Sequence, residues 1–411
     1  MARRNGGFIG TDGLDAPDPP TGISAEASDA AIIVSFTAPT DTGTSAITGF
    51  VATTDDGNGA AGSSSPITIG SLTNATAYTA RVYAINAYGT SAASDASASA
   101  SPQAAVAFFF SGQAASSYRT AQIERTNITS SGGLIDFGDM TAYTHGHGSC
   151  SSTTRAVSAG GNGVGGSGKG DLVNIIEYIT MASTGDGTDF GDLTAGRANG
   201  VASASSKTRG LFAGGNVTNF STYANIIDYI TIASVGNATD FGDLDVSRAS
   251  PGAGQSPTRA VFGGGYGGSD SAAMDYVTIA STGNAASFGN LTVGRRSTGG
   301  CSNSTRAVYF SGQNGSNAQL NTIDYITIAS TGNAADFGDL RVACTKGRGT
   351  ASETYAVISR GQHGTSNSSN DTALDRITIA STGNAVGFTS LSIRRNGGER
   401  GSTGNSHGGL Q

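Results

Sequence analysis

The chain has 411 residues, 63 glycines and 37% hydrophobic residues, with a net charge of -7 and a pI near 5.0. This acidic balance opposes binding to nucleic acid phosphates, which requires clustered Lys and Arg. The start of the chain lacks the apolar run of a signal peptide, and no stretch has the length of a membrane span. The sequence therefore predicts a chain that is made in the cytoplasm and not inserted into a membrane.

Residues 1–15 are predicted to be an arm rather than part of a folded domain. They are rich in glycine, and their candidate anchoring groups are Arg3, Arg4, Phe8 and Ile9. A segment with so few apolar groups cannot fold alone. We therefore expect these four side chains to dock the chain on a partner or on another copy of itself.

Residues 16–103 form short period-2 segments separated by turns rich in Asp, Thr, Gly and Ser, which indicates a small β-sandwich. The Pro19-Pro20 pair, Phe36 and the run 72–89 resemble a fibronectin type III domain, with Phe36 where the family usually places Trp. The resemblance implies that Tyr78 is a tyrosine-corner residue, whose hydroxyl bonds back to the upstream turn.

Residues 104–411 contain six copies of one phrase, whose clearest form is Asp-Tyr-Ile-Thr-Ile-Ala-Ser. The copies lie at residues 124–130, 177–183, 228–234, 275–281, 324–330 and 375–381. Each copy follows a strand of small residues, and most of these strands end in glycines. Each precedes Asp-Phe-Gly-Asp-Leu or a relative, and then a polar segment that often opens with Arg. Four strands in a repeat of roughly 50 residues are typical of a propeller blade.

The order of these landmarks predicts how a ring would close. The polar segment that should precede the first copy is missing there and follows the last copy instead, at residues 393–401. The C-terminal strand would then complete the first blade, so that no sheet edge stays open. The predicted fold is all-β: a fibronectin III-like β-sandwich followed by a six-bladed β-propeller, with the strand of the polar segment innermost.

Recurrent arginines are the candidate binding residues. Arg197, Arg248, Arg295 and Arg395 each lie four residues after the Leu that closes the Asp-Phe-Gly-Asp-Leu landmark, so a ring would place them at equivalent positions. There they could bind carboxylates or sulfates of a polysaccharide, because a guanidinium group matches planar anions. Alternatively they pair with neighbouring acids. This alternative is favoured because charged groups near a core are normally paired. The candidate partners are Asp192, Asp243 and Asp339.

Other motifs predict neither a cofactor nor a metal. Residues 163–170 nearly spell a phosphate-binding loop but lack its final Ser or Thr and a following helix. The recurrent Asp-Phe-Gly is interpreted as a turn signature rather than as a kinase motif. His145 and His147 are too few to complete a metal site. Asp186, Asp189 and Asp192 lack the spacing of a calcium loop, and Cys150, Cys301 and Cys344 are predicted to be free thiols.

Two further resemblances suggest a function. Gly160-Gly161, Gly214-Gly215 and residues 263–265 resemble the glycine strand ends of Kelch-like propellers, although the chain contains no Trp. The phrase Ala-Ser-Thr-Gly-Asn-Ala, followed by Asp-Phe-Gly-Asp-Leu, is similar to virion proteins of tailed phages, particularly those of marine bacteria. This implies a non-enzymatic fibre, appendage or decoration subunit in the virion.

In such a subunit the arm would contact other virion proteins, and we expect multiple copies in an assembly. The loops 215–223, 265–270 and 313–319 are rich in Asn, Ser and Tyr and suit weak contact with a host-surface polysaccharide. A polysaccharide-degrading propeller enzyme and a cell-surface adhesin remain the alternatives. The enzyme would require a pair of positioned carboxylates, and the missing export signal opposes the adhesin.

Overall fold

The structure of the chain is a computed structural model. It describes residues 14–110, 112–114, 119–130, 133–163, 172–217, 222–364, 372–392, 395–396 and 401–410. These residues form β-strands, loops and one short 3-10 turn, Gly408–Leu410. The chain divides into two compact units, Met1–Ala105 and Val106–Gln411. Within the described ranges, no helix is long and apolar enough to cross a membrane.

The described residues of the first unit, 14–105, contain seven strands in two sheets. They are β1 (Thr21–Ser28), β2 (Ala31–Thr37), β3 (Ile47–Thr54), β4 (Gly59–Gly62), β5 (Ile67–Ile69), β6 (Ala80–Asn86) and β7 (Gly89–Thr90). One sheet has the order β1-β2-β5 and the other β4-β3-β6-β7, and all pairs are antiparallel. Phe36 packs against Phe50 in the core, with ring centroids 4.8 Å apart.

The tyrosine corner is present in this unit. Tyr78 is buried, and its hydroxyl oxygen accepts a hydrogen bond from the backbone N–H of Thr73 at 3.1 Å. This is the upstream contact that the sequence predicted for Tyr78.

The second unit contains, in its described residues, six four-stranded antiparallel sheets, named here by number and given from first to fourth strand. Sheet 1 consists of β36 (Gly401–Gly404), β8 (Val106–Phe110), β11 (Gln122–Asn127) and β12 (Ile135–Asp139). Sheet 2 consists of β13 (Gly148–Ser151), β14 (Arg155–Ala159), β15 (Ile175–Thr180) and β16 (Thr188–Asp192). Sheet 3 consists of β17 (Ala202–Ser205), β18 (Arg209–Ala213), β21 (Ile226–Thr231) and β22 (Thr239–Asp243).

The remaining sheets repeat this order. Sheet 4 consists of β23 (Gly252–Gln255), β24 (Arg259–Gly263), β25 (Ala273–Thr278) and β26 (Ala286–Asn290). Sheet 5 consists of β27 (Gly299–Ser302), β28 (Arg306–Phe310), β29 (Leu320–Thr327) and β30 (Ala335–Cys344). Sheet 6 consists of β31 (Arg348–Ala351), β32 (Tyr355–Ser359), β33 (Ala373–Thr378) and β34 (Val386–Ser390). Short strands β9 (Gly112–Ala114), β10 (Arg119–Thr120) and β35 (Arg395–Asn396) pair with one another, as do β19 (Asn216–Val217) and β20 (Thr222–Tyr223).

The first strands of the six sheets contact one another in succession. β13 contacts β17, β17 contacts β23, β23 contacts β27, and β27 contacts β31. β36, which comes from the C-terminus and pairs with β8, contacts both β13 and β31.

The Asp-Phe-Gly landmark lies in the fourth strand of a sheet, not in a turn, which corrects its interpretation as a turn signature. In sheet 3, Phe241 is buried and packs edge-on against Tyr229, with ring centroids 6.0 Å apart. It shares a core cluster with Phe262 and Val277 of sheet 4, so it fills the space between neighbouring sheets.

Glycine is required in this landmark by a close backbone approach. Gly242 has a φ of 141°, and a Cβ there would lie 2.5 Å from the carbonyl oxygen of Gly283, in a loop of sheet 4. The strand register shifts at the same place, between Ile227 and Asp228 of the facing strand. The landmark is therefore a β-bulge where only glycine fits against the next sheet.

Candidate functional site

The recurrent arginines are buried in ion pairs. Arg197, Arg248 and Arg295 are at most 1% exposed. Their Nη2 atoms lie 2.7, 2.7 and 2.8 Å from carboxylate oxygens, and the partners are Asp228, Asp275 and Asp324, respectively. Burial lowers the pKa of each guanidinium group below its ordinary value, and the facing carboxylate opposes that shift. These groups neutralise each other inside the sheets and do not face solvent.

The sequence predicted that the arginines pair with Asp192, Asp243 and Asp339, and this prediction is wrong. Their partners are the acids at the first position of the six-copy phrase. Each arginine precedes the first strand of its sheet and extends across the second strand to the third. Arg248, for example, also donates to the carbonyl oxygens of Phe262 and Ala273, both at 3.2 Å. Asp243 lies in the fourth strand of the preceding sheet and is partly exposed. Arg395 lies in β35, and its side chain is outside the described residues.

Sheet 6 obtains its arginine from another position. Cys344 occupies the place of Arg197 in the repeat, and the guanidinium group comes instead from Arg360, after the second strand. Its Nε and Nη2 atoms lie 3.0 and 2.7 Å from the two carboxylate oxygens of Asp375. The ion pair is therefore kept although the residue that supplies it has moved.

Sheet 2 departs further from the pattern. Thr144 stands at the arginine position, and the acid is Glu177, which is 2% exposed. Its carboxylate accepts a hydrogen bond from the backbone N–H of Thr141 at 3.0 Å. Burial raises the pKa of Glu177 to about 7.

The buried acids also bind the chain segment that arrives from the preceding sheet. Backbone N–H groups donate to their carboxylates in six places, namely Thr141 to Glu177, Thr194 to Asp228, Asp245 to Asp275, Thr292 to Asp324, Arg341 to Asp375 and Ser392 to Glu124. The last of these links joins the end of sheet 6 to sheet 1. Sequence reasoning missed this role, although the signal was present: the first residue of the phrase is Asp or Glu in all six copies.

A small cavity of about 50 Å³ lies among the first strands of all six sheets. Its lining is dominated by Ser, Gly and Thr, with Arg348 and His147 added. His407 of the C-terminal turn is among the lining residues and joins three sheets. Its Nε2 lies 3.0 Å from Ser151 Oγ and 3.2 Å from Ser205 Oγ, and its Nδ1 lies 3.0 Å from Gln255 Nε2. Burial lowers the pKa of His407 to about 4.

A second polar group, which we call the loop cluster, lies where loops of sheets 3, 4 and 5 meet. Its members are Tyr223, Tyr266, Asp270, Arg296, Gln313 and Asn317. The tyrosine rings pack edge-on, with centroids 5.5 Å apart, and the Arg296 guanidinium lies 5.3 Å from the centre of the Tyr266 ring. Arg296 Nη1 donates to Asp270 Oδ1 at 3.1 Å, and Nη2 donates to the side-chain oxygens of Gln313 and Asn317.

The remaining predicted sites are placed as follows. His147 is buried, and its Nε2 accepts a hydrogen bond from the backbone N–H of Gly401 at 2.8 Å, so this nitrogen is used inside the fold. No group of three potential metal ligands occurs among the described residues. The three cysteines form no disulfide, as predicted, and all three are buried. Arg3, Arg4, Phe8 and Ile9, together with most of the 163–170 loop, lie outside the described residues.

Comparison with known proteins identifies one domain. Residues 18–100 match the fibronectin type III domain family, which confirms the resemblance of the first unit. No curated protein matches the chain.

Proposed function

We propose that residues 106–411 form a closed six-bladed propeller of Kelch-like architecture. Three observations support closure. The first strands of the sheets contact one another in a circular order that includes β36 with both β13 and β31. The Ser392 N–H donates to Glu124 at 2.9 Å. Arg376 Nη1 donates to the carbonyl oxygen of Thr129 at 3.4 Å. Closure removes the open edges that otherwise promote aggregation of β-sheets.

The same chain is proposed to be a non-enzymatic structural protein. The observation that carries this proposal is the use of the repeated charged residues. The recurrent arginines bind the acids of their own sheets, and each of those acids also binds backbone of the preceding sheet. Charges used in this way stabilise a rigid ring.

In the organism, the protein is proposed to be a virion surface subunit of a tailed phage. The similarity of the repeated phrases to phage virion proteins supports this assignment, and the fibronectin type III domain at residues 18–100 fits a spacer. The arm with Arg3, Arg4, Phe8 and Ile9 would contact other virion proteins. The propeller would present its loops to a polysaccharide of the host surface.

Electron microscopy of intact phage particles, labelled with an antibody against residues 106–411, tests the assignment. Label at regular positions on the particle, together with saturable binding of the full chain to host cells, is the expected result. Particles without label contradict the virion assignment. Release of reducing sugar from host polysaccharide by the purified chain contradicts the non-enzymatic role and supports a polysaccharide-degrading propeller.

A further inference from the structure

The loop cluster is not required by the repeated framework. In five of the described sheets, an isolated backbone bridge joins the residue after the arginine position to a residue beyond the second strand; the pairs are His145–Asn162, Ala198–Asn216, Ala249–Tyr266, Arg296–Gln313 and Thr345–Gln362. Alanine forms this bridge in two of the five sheets. The long side chain of Arg296 therefore serves a purpose other than holding the bridge.

Asp270 supplies the observation that points to a ligand. Its side chain is 5% exposed, and Oδ1 is bound by Arg296. Its Oδ2 is buried and has no hydrogen-bond donor among the residues that the structure describes. A buried carboxylate oxygen without a donor is unfavourable, so a hydroxyl group placed there would gain a strong hydrogen bond.

Gly315 lies beside this oxygen and carries no side chain. A Cβ at Gly315 would lie 3.9 Å from Asp270 Oδ2, with no other atom as its neighbour within 4 Å. The residues around it, 315–318, are exposed. The loop residue that approaches the carboxylate is thus a glycine, which places no side chain beside it.

The charge of the cluster restricts the class of ligand. Arg296 is the cation of the cluster and is already paired with Asp270, so their charges cancel. The other members offer phenol hydroxyls, amide groups and aromatic rings, which suit a molecule with many hydroxyl groups and apolar C–H faces. An anionic glycan would require a further cation.

We propose that the loop cluster binds a neutral saccharide, with Asp270 Oδ2 accepting a sugar hydroxyl and Tyr223 and Tyr266 contacting the sugar ring. This proposal rests on the proposed function and specifies its ligand. The neutral class differs from the anionic glycan that a ring of exposed arginines would select.

An oligosaccharide array tests the proposal with the full chain. The probes are neutral gluco-, galacto- and mannohexasaccharides and their sulfated counterparts. The chain should bind at least one neutral hexasaccharide, and Asp270→Asn and Tyr223→Ala should each weaken that binding at least tenfold. Tyr143→Ala is the matched control for tyrosine, because Tyr143 is 53% exposed and lies outside the cluster.

Gly315→Val separates binding from folding. The substitution meets no backbone clash, yet it places methyl groups beside Asp270 Oδ2, so the melting temperature should be unchanged while binding falls at least tenfold. Gly332→Val, in a loop with nothing within 4 Å of its Cβ, should change neither quantity. Absence of binding to every probe, preference for sulfated probes, or full binding by Gly315→Val overturns the proposal. Particles that carry the antibody label while the chain binds no probe would refute this site alone and leave the virion assignment standing.

Discussion

Two buried ionisable groups are predicted to impose opposite pH dependences on the stability of the second unit. They are His407, in the C-terminal turn, and Glu177, in sheet 2. The test compares the full chain with His407→Gln and with Glu177→Gln, in each of which the ionisable group is replaced by an amide.

The neutral form of His407 is fixed by its surroundings. Its Nδ1 accepts a hydrogen bond from the backbone N–H of Gly409 at 3.2 Å, which a proton on Nδ1 would break. The pKa is lowered by burial from the ordinary 6.5 to about 4. A group with a lowered pKa contributes stability that is present above pH 6.5 and lost as the pH falls through 4. The full effect is about 3 kcal/mol, at 1.36 kcal/mol per pH unit.

Glu177 acts in the other direction. Burial raises its pKa from the ordinary 4.5 to about 7, and no arginine stands at the position where sheets 3, 4 and 5 have one. The contribution of a raised pKa is fully present below pH 4.5 and lost as the pH rises through 7. Its size is again about 3 kcal/mol at most.

In the unmodified chain these two contributions oppose each other between pH 4.5 and 6.5. The variants should separate them. Relative to the unmodified chain, His407→Gln should become steadily less stable as the pH rises from 4.5 to 6.5, and Glu177→Gln should become steadily more stable. Each difference should change by about 2 to 3 kcal/mol over this interval.

Differential scanning calorimetry at half-unit steps from pH 4.5 to 7.5 measures these differences. Asp336→Asn is the control for removal of an acid, because Asp336 is exposed and lies in sheet 5, and His363→Gln controls for removal of a histidine that is not fully buried. If both stability differences changed in the same direction with pH, or if neither changed with pH, the burial argument for both groups would be wrong.

Three further predictions concern contacts that hold the sheets together, each measured by thermal or denaturant unfolding. Arg248→Met should destabilise the second unit by about 3–5 kcal/mol because it leaves Asp275 charged and buried, and Arg248→Met/Asp275→Leu should recover most of the loss; equal losses in the single and double variants would contradict this. Gly242→Ala should cost at least about 2 kcal/mol through strain at positive φ and a clash with the next sheet, and an unchanged melting temperature would exclude that close approach. The double variant Tyr355→Arg/Arg376→Tyr exchanges the two residues, and its free energy of unfolding should be within about 0.5 kcal/mol of that of the unmodified chain. Each single variant should be less stable, and additive losses in this double-mutant cycle would exclude the contact.

Much of the architecture could be predicted from the sequence because its signals are local and repeated. The alternation in the Asp-Tyr-Ile-Thr phrase indicates a half-buried strand. One polar segment is missing before the first copy and appears after the last copy, which indicates that the C-terminal strand joins β8. The tyrosine corner at Tyr78 is equally local, since its partner Thr73 is five residues away. Each of these inferences needs only residue types and their order.

The partners of the arginines could not be predicted in the same way. Asp243 is five residues from Arg248 and Asp275 is 27 residues away, so proximity in sequence favoured the wrong acid. The correct choice depends on which strand the guanidinium crosses, which is set by sheet order and not by spacing. The cavity among the first strands was missed for the same reason, because its residues come from different sheets. The loops 215–223, 265–270 and 313–319 were predicted as binding loops, but their meeting with Arg296 in one cluster could not be predicted from spacing.

Sheet 6 shows that the interactions of the repeat persist when the residues that make them change places. Arg360, which directly follows the second strand, replaces the missing arginine at Cys344 and binds Asp375. In the same sheet, Tyr355 stands where sheets 2 to 5 have Arg, and Arg376 stands where they have Tyr, yet the guanidinium lies 4.6 Å from the ring centre, as in the other sheets. A position-by-position comparison records two losses in this sheet. The structure contains both contacts, because a buried acid and a ring face each require a guanidinium group but do not require it from a particular strand.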